Sequence, residues 1–75
     1  MSMQEKSEII SRLSKNMKEY RSKQKITQEE LSFRSGLHRN YISDTERGTR
    51  NISLEALEKI AKGLEVEVED LFKRQ

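Results

Sequence analysis

Apolar residues recur at helical spacing along most of the chain. Ile10, Leu13, Met17 and Tyr20 stand three, four and three apart, which is one stripe of an amphipathic helix. Ser7 is placed to cap that helix, which runs to about Gln24. Ile9 lies off the stripe, where it can cover a neighbouring helix or a second subunit. Lys25-Ile26 is a connector, with Ile26 set as a hydrophobic staple before Thr27. Thr27 reads as an N-cap and Glu30 as its capping-box partner, opening a second helix that buries Leu31 and stops at Gly36. Leu37 plugs the turn. A third helix begins near Arg39, turns Ile42 and Thr45 inward, and ends at Arg47-Gly48-Thr49. Ser53 then caps a fourth helix with Leu54, Leu57, Ile60, Ala61 and Leu64 at helical spacing, and Gly63 reads as a turn or helix-end glycine. Residues 65–72, EVEVEDLF, alternate as a strand would, but an isolated strand would have no partner. The better reading is a short fifth helix from about Glu67, with Val68, Leu71 and Phe72 inward. Met1–Lys6 is polar and reads as a frayed lead-in. With no repeat or linker, the expectation is an all-α, compact five-helix domain over residues 1–75.

Residues 27–46 carry more than a helical hairpin. Ser32 is small enough for a helix to cross closely, Gly36 follows four residues later, and Ile42 six after that. This is the packing skeleton of a DNA-binding helix-turn-helix. The outward face of its second helix offers His38, Arg39, Asn40, Ser43 and Asp44, all hydrogen-bonding side chains. Such a helix enters the major groove with its N-terminal residues nearest the base edges. Arg39 is the first candidate for direct readout, as a bidentate donor to guanine O6 and N7. Asn40 suits adenine or a phosphate. One turn further along, Ser43 is a further base contact. Asp44 either accepts from cytosine N4 or repels phosphate and so excludes wrong registers.

The run from Thr27 to Leu64 resembles the Cro and lambda-repressor-like helix-turn-helix family. The resemblance rests on Thr-Gln-Glu-Glu-Leu opening the motif, Ser-Gly-Leu at the turn, and Tyr-Ile-Ser with Glu-Arg-Gly closing it. Arg50-Asn51-Ile52-Ser53-Leu54 and Asp70-Leu71-Phe72 fit as well. Size, Tyr41, Arg50-Asn51-Ile52-Ser53 and an aromatic at Phe33 bring the chain nearest to the small controller proteins of bacterial restriction–modification systems. The resemblance implies that Gln28 braces the phosphate backbone and that Arg50 reaches a base from the loop. It puts Tyr41 toward the DNA backbone near a dimer axis; a partly buried tyrosine packed on the fourth helix is the alternative. His38 stands where Ser or Thr usually caps the helix, and with Asn51, Lys18 and Lys23 it completes the candidate backbone contacts. It further implies an ion pair between Arg21 and Glu46. Glu67 departs from the pattern, which often has Ser or Asp there.

Composition narrows the function. There is no cysteine and a single histidine, His38, so thiolate and histidine-rich metal sites are excluded, and no cofactor is expected. P-loop, dinucleotide-binding and HExxH patterns are missing, so an enzyme is not expected. No apolar run approaches a membrane span and no signal-peptide core is present, which makes a cytoplasmic protein the expectation. Residues 1–50 carry eleven Lys or Arg against seven Asp or Glu, whereas residues 51–75 carry four against six. The basic half contains the helix-turn-helix, where a phosphate-binding surface must lie. A chain of 75 residues buries only about 60–65% of its unfolded surface, which favours assembly. The dimerisation region is expected at about 64–73, through Val66, Val68 and Phe72. Two function classes remain. One is a homodimeric transcription regulator on palindromic double-stranded operator DNA, with RNA polymerase as a further partner. The other is a phage-type repressor or an antitoxin-like protein-interaction module; an antitoxin would usually carry an additional partner-binding tail.

Overall fold

Among the described residues, four α-helices and one short 3-10 helix follow the expected order: α1 (Glu8–Gln24), α2 (Gln28–Ser35), α3 (Arg39–Arg47), α4 (Leu54–Leu64) and the 3-10 helix Val68–Phe72. The computed structural model describes residues 7–74, so the lead-in Met1–Lys6 lies outside the described residues. The fifth element is therefore a tightened five-residue helix rather than an α-helix. No strand forms at EVEV.

The helix ends show which local signals operate. Thr27 Oγ1 accepts from the Glu30 N–H at 3.0 Å, His38 Nδ1 from the Asn40 N–H at 3.0 Å, and Ser53 Oγ from the Ala56 N–H at 3.1 Å. Two expected caps do not form. The Ser7 hydroxyl makes no cap hydrogen bond, although its carbonyl accepts from the Ser11 N–H at 3.0 Å. Glu30 turns its carboxylate to Arg34, 3.2 Å away and one turn on, so the capping box stays open. The left-handed residue that closes α4 is Glu65, with φ 60°, not Gly63.

Gly63 instead lies inside α4, where that helix crosses α2. A Cβ there would stand 3.1 Å from Leu31 Cδ1 and 3.3 Å from Ser35 Cβ. The close crossing thus uses Ser35 and Gly63. Ser32, expected in that role, is partly buried and donates its hydroxyl to the Leu37 carbonyl, bracing the turn.

Leu13, Met17, Leu31, Ile42, Leu57, Ile60, Ala61, Leu64 and Leu71 form the core, with Tyr20, Ile26, Leu37 and Ile52 among the residues packed around it. Leu54 is the exception to the apolar stripe of α4: it is 80% exposed. Steps of three residues fall about 60° short of a full turn, so Leu54 sits roughly 120° from Ile60.

The C-terminal segment is tied down by polar side chains of α1. The fully buried Asn16 amide donates to the Leu71 and Lys73 carbonyls, each at 2.9 Å, and Arg12 Nη1 reaches the Phe72 carbonyl at 3.3 Å. Asp70 accepts from the Glu67 N–H at 2.9 Å and pairs with Lys73 at 2.8 Å. The Lys73 hydrogen bond, then the Glu67 N–H, hold the Asp70 carboxyl below its ordinary value. A depressed carboxylate stabilises the fold above its unfolded value, and that contribution is lost as pH falls through the folded one. Asn16→Ala should lower unfolding stability by about 1–3 kcal/mol per carbonyl left unsatisfied. Urea denaturation measures it, and an unchanged midpoint would show that the segment does not depend on this tie.

Candidate nucleic-acid interface

The second helix of the motif is fixed at its C-terminal end. Glu46 is 4% exposed, yet carries a carboxylate. Arg21 of α1 meets both of its oxygens, Nε to Oε2 at 2.8 Å and Nη2 to Oε1 at 3.0 Å, and Arg21 Nη1 donates to the Ile26 carbonyl at 3.0 Å. Gln28 Nε2 of α2 donates to Glu46 Oε1 at 3.0 Å. The Ser14 hydroxyl of α1 donates to the Glu46 backbone carbonyl. The Glu46 hydrogen bond raises Arg21 above its ordinary value, against the opposing effect of burial. Ile42 and Thr45, 0% and 2% exposed, complete the inner face of α3.

The opposite face is open to solvent. Arg39 and Asn40 stand exposed at the start of α3, and neither side chain bonds to any other described residue. Arg39 lines a shallow depression with Lys25, Thr27, Gln28 and Glu29, so it borders the N-terminus of α2. His38 spends its Nδ1 on the cap. Ser43 and Asp44 are partly buried. Arg47 Nη1 donates to Ser43 Oγ at 3.2 Å, and Arg47 Nη2 pairs with Asp44 Oδ1. Arg50 Nη2 takes Asp44 Oδ2 at 3.1 Å, and its guanidinium lies 4.3 Å above the centroid of the Tyr41 ring. The Tyr41 hydroxyl accepts from the Ser53 N–H at 3.4 Å, at the start of α4.

Other expected site residues lie apart. The Gln28 amide is engaged internally with Glu46. Lys18 and Lys23 line a separate hollow on α1 with Lys15, Glu19 and Ser22. Asn51 stands at the rim of an apolar groove with Ile9, Ile10, Ile52, Leu54, Val68 and Phe72. Val66 packs in part against the core and lines a second depression with Glu58, Lys62 and Val68. Two cations not expected from the sequence join the open face. Lys25 stands beside Arg39, and Arg47 follows Asp44 by three residues on one face of α3, a spacing that was legible.

Residues 17–71 match the helix-turn-helix family. Control protein C.SmaI of Serratia marcescens is 43% identical over 63 residues, covering 84% of this chain and 75% of that protein. The chain belongs to the helix-turn-helix family of restriction–modification control proteins. Control protein C.BamHI of Bacillus amyloliquefaciens is 58% identical over 51 residues, or 68% of this chain and 63% of the length of that protein. The crystal structure of the restriction–modification controller C.AhdI from Aeromonas hydrophila superposes with a TM-score of 0.81 at 38% identity, covering 84% of this chain and 96% of that one. The controller C.Esp1396I, solved as a tetramer with its natural 35 base-pair operator, gives 0.79 at 37% identity, covering 91% and 100%.

The ion pair at the base of α3 generates a direct test. Arg21→Ala strands the Glu46 carboxylate and should cost about 3–5 kcal/mol of unfolding stability. Glu46→Gln in the same background should recover part of that loss. Additive single effects in the double-mutant cycle would mean that the two groups do not act as a pair.

Proposed function

We propose that this chain is a sequence-specific transcription regulator of a restriction–modification system and binds a palindromic operator as a homodimer. The observation that carries the reading is the two-sidedness of α3. Its inner face is locked to α1 and α2 through Glu46, and its outer face presents Arg39 and Asn40 free of internal partners. Arg39 is assigned to guanine readout, with Asn40 beside it, and the neighbouring Lys25 to phosphate. The operator complex of C.Esp1396I supports the same use of the motif here. Among the described residues no helix is long and apolar enough to cross a membrane. The protein is assigned to the cytoplasm, with RNA polymerase at the same promoter as its second partner.

The second copy is assigned to the apolar groove, an open volume of about 600 Å³. Leu54 and Ile9, 80% and 53% exposed, stand along it beside the partly buried Val68 and Phe72. A two-fold pairing of this face would bury these side chains against their own copies. Val66 does not line this groove; with Val68 it borders a neighbouring depression.

Gel shift against the DNA upstream of its own gene tests the reading, with specific retention expected. Arg39→Ala should weaken operator binding by about 1–3 kcal/mol per half-site while random DNA is held nearly as before. Equal losses on both DNAs would remove Arg39 as a base reader. Leu54→Asp should leave the helical content intact, since the residue is already exposed, and give a monomer by sedimentation. A variant that remains dimeric would place the interface elsewhere.

A further inference from the structure

Asp44 occupies an unusual place for an anion. It lies on the face of α3 assigned to DNA, and both of its oxygens are taken by arginines of the same face. Oδ1 holds Arg47, and Oδ2 holds Arg50 at 3.1 Å. The carboxylate is 27% exposed, whereas the side chains of Arg47 and Arg50 are 64% and 40% exposed. Arg50 is gripped a second time, its guanidinium 4.3 Å above the Tyr41 ring. Tyr41 is in turn anchored, through its hydroxyl on the Ser53 N–H and through its place on α3. An exposed ion pair alone is worth at most about 1 kcal/mol and would not fix a loop side chain. A carboxylate below and an aromatic face beside the same guanidinium define one pose for it.

We propose that Asp44 is a positioning residue for the DNA-binding face rather than a base reader. It holds Arg50 in one orientation for the operator, and it offsets the charge of two arginines against sequence-independent attraction. The proposal rests on the DNA-binding reading above. Its physical content is a division of labour. The local negative charge weakens binding to every DNA alike, because a phosphate must displace the carboxylate or bear its repulsion. The fixed pose of Arg50 acts on the preferred sequence alone, because only there does its orientation meet a matching base edge.

Asp44→Asn separates the two parts, since the amide keeps the shape and removes the charge. The probes are a duplex selected by the wild-type protein from a randomised pool and a shuffled duplex of equal length. Asp44→Asn should tighten binding to the shuffled duplex about threefold to tenfold and steepen its salt slope by about one. The ratio of shuffled to selected Kd should fall by more than about threefold, with the thermal midpoint little changed. In an Arg50→Ala background the same substitution should still tighten shuffled binding, through Arg47, but should no longer lower the ratio. An unchanged ratio would overturn the proposal, as would an equal fall with and without Arg50. A wild type that selects no sequence at all would remove the DNA-binding reading itself and this proposal with it.

Discussion

A carboxylate that is 4% exposed is tolerable only when its oxygens are met by donors, and Glu46 meets that condition with partners from two helices. Arg21 comes from α1, Gln28 from α2, and Glu46 itself lies in the last turn of α3. Burying such a pair adds little net stability, because desolvation of both ions offsets their attraction. What it supplies is direction. The bidentate fork fixes both the distance and the angle between α1 and the end of α3, and the Ser14 hydroxyl repeats the constraint on the backbone. Helix α3 has nine residues and is about 13 Å long, so a tilt of about 10° at Glu46 displaces Arg39 by roughly 2 Å. A bidentate contact to a base edge does not survive that displacement. The accuracy of the outer face therefore depends on the ion pair at the opposite end of the helix.

The same dependence decides what could be read from the chain. Thr27, Gly36 and Ser53 act through bonds to residues within a turn or so, and their roles were legible because the partner is local. The Arg21–Glu46 pair was expected only by resemblance, since nothing local links residues 25 positions apart. Ser14 and Asn16 carried no signal at all. On a lysine-rich helix they look like solvated polar positions, yet they are buried because the α3 terminus and the C-terminal segment arrive there. Gly63 was misread for a related reason. Near a helix end a glycine usually relieves strain, and only the crossing of α2 over α4 shows that the missing side chain is what matters.

Leu54 shows a different kind of limit. Spacing of three residues is helical, but repeated it drifts around the helix, so a run that ends on the core begins beside it. The drift leaves Leu54 on the surface next to Ile9, which was off the stripe of α1 from the start. Two residues that each fail to fit a monomer core meet on one face, together with Val68 and Phe72. Of the residues expected at an interface over 64–73, Val68 and Phe72 line this open apolar face, and residues of α1 and the start of α4 line it with them. Val66 shares a second depression with Val68, Glu58 and Lys62, so Val68 borders both hollows and Val66 only one.

The segment between α3 and α4 lies against both faces at once. Arg50 rests on Tyr41 and Asp44 toward the open face of α3, and Ile52, two residues later, lines the apolar groove. Two residues of extended chain span only about 7 Å, so the loop has little slack between these holds. Ser53 then anchors it a third time, capping α4 with its hydroxyl and donating its N–H to Tyr41. In the proposed dimer, closing the groove would immobilise Ile52 and Leu54 and so restrict the path on which Arg50 depends. Assembly and readout would then share one short stretch of backbone, and the ordering entropy of that loop would be met on dimerisation rather than on encounter with DNA.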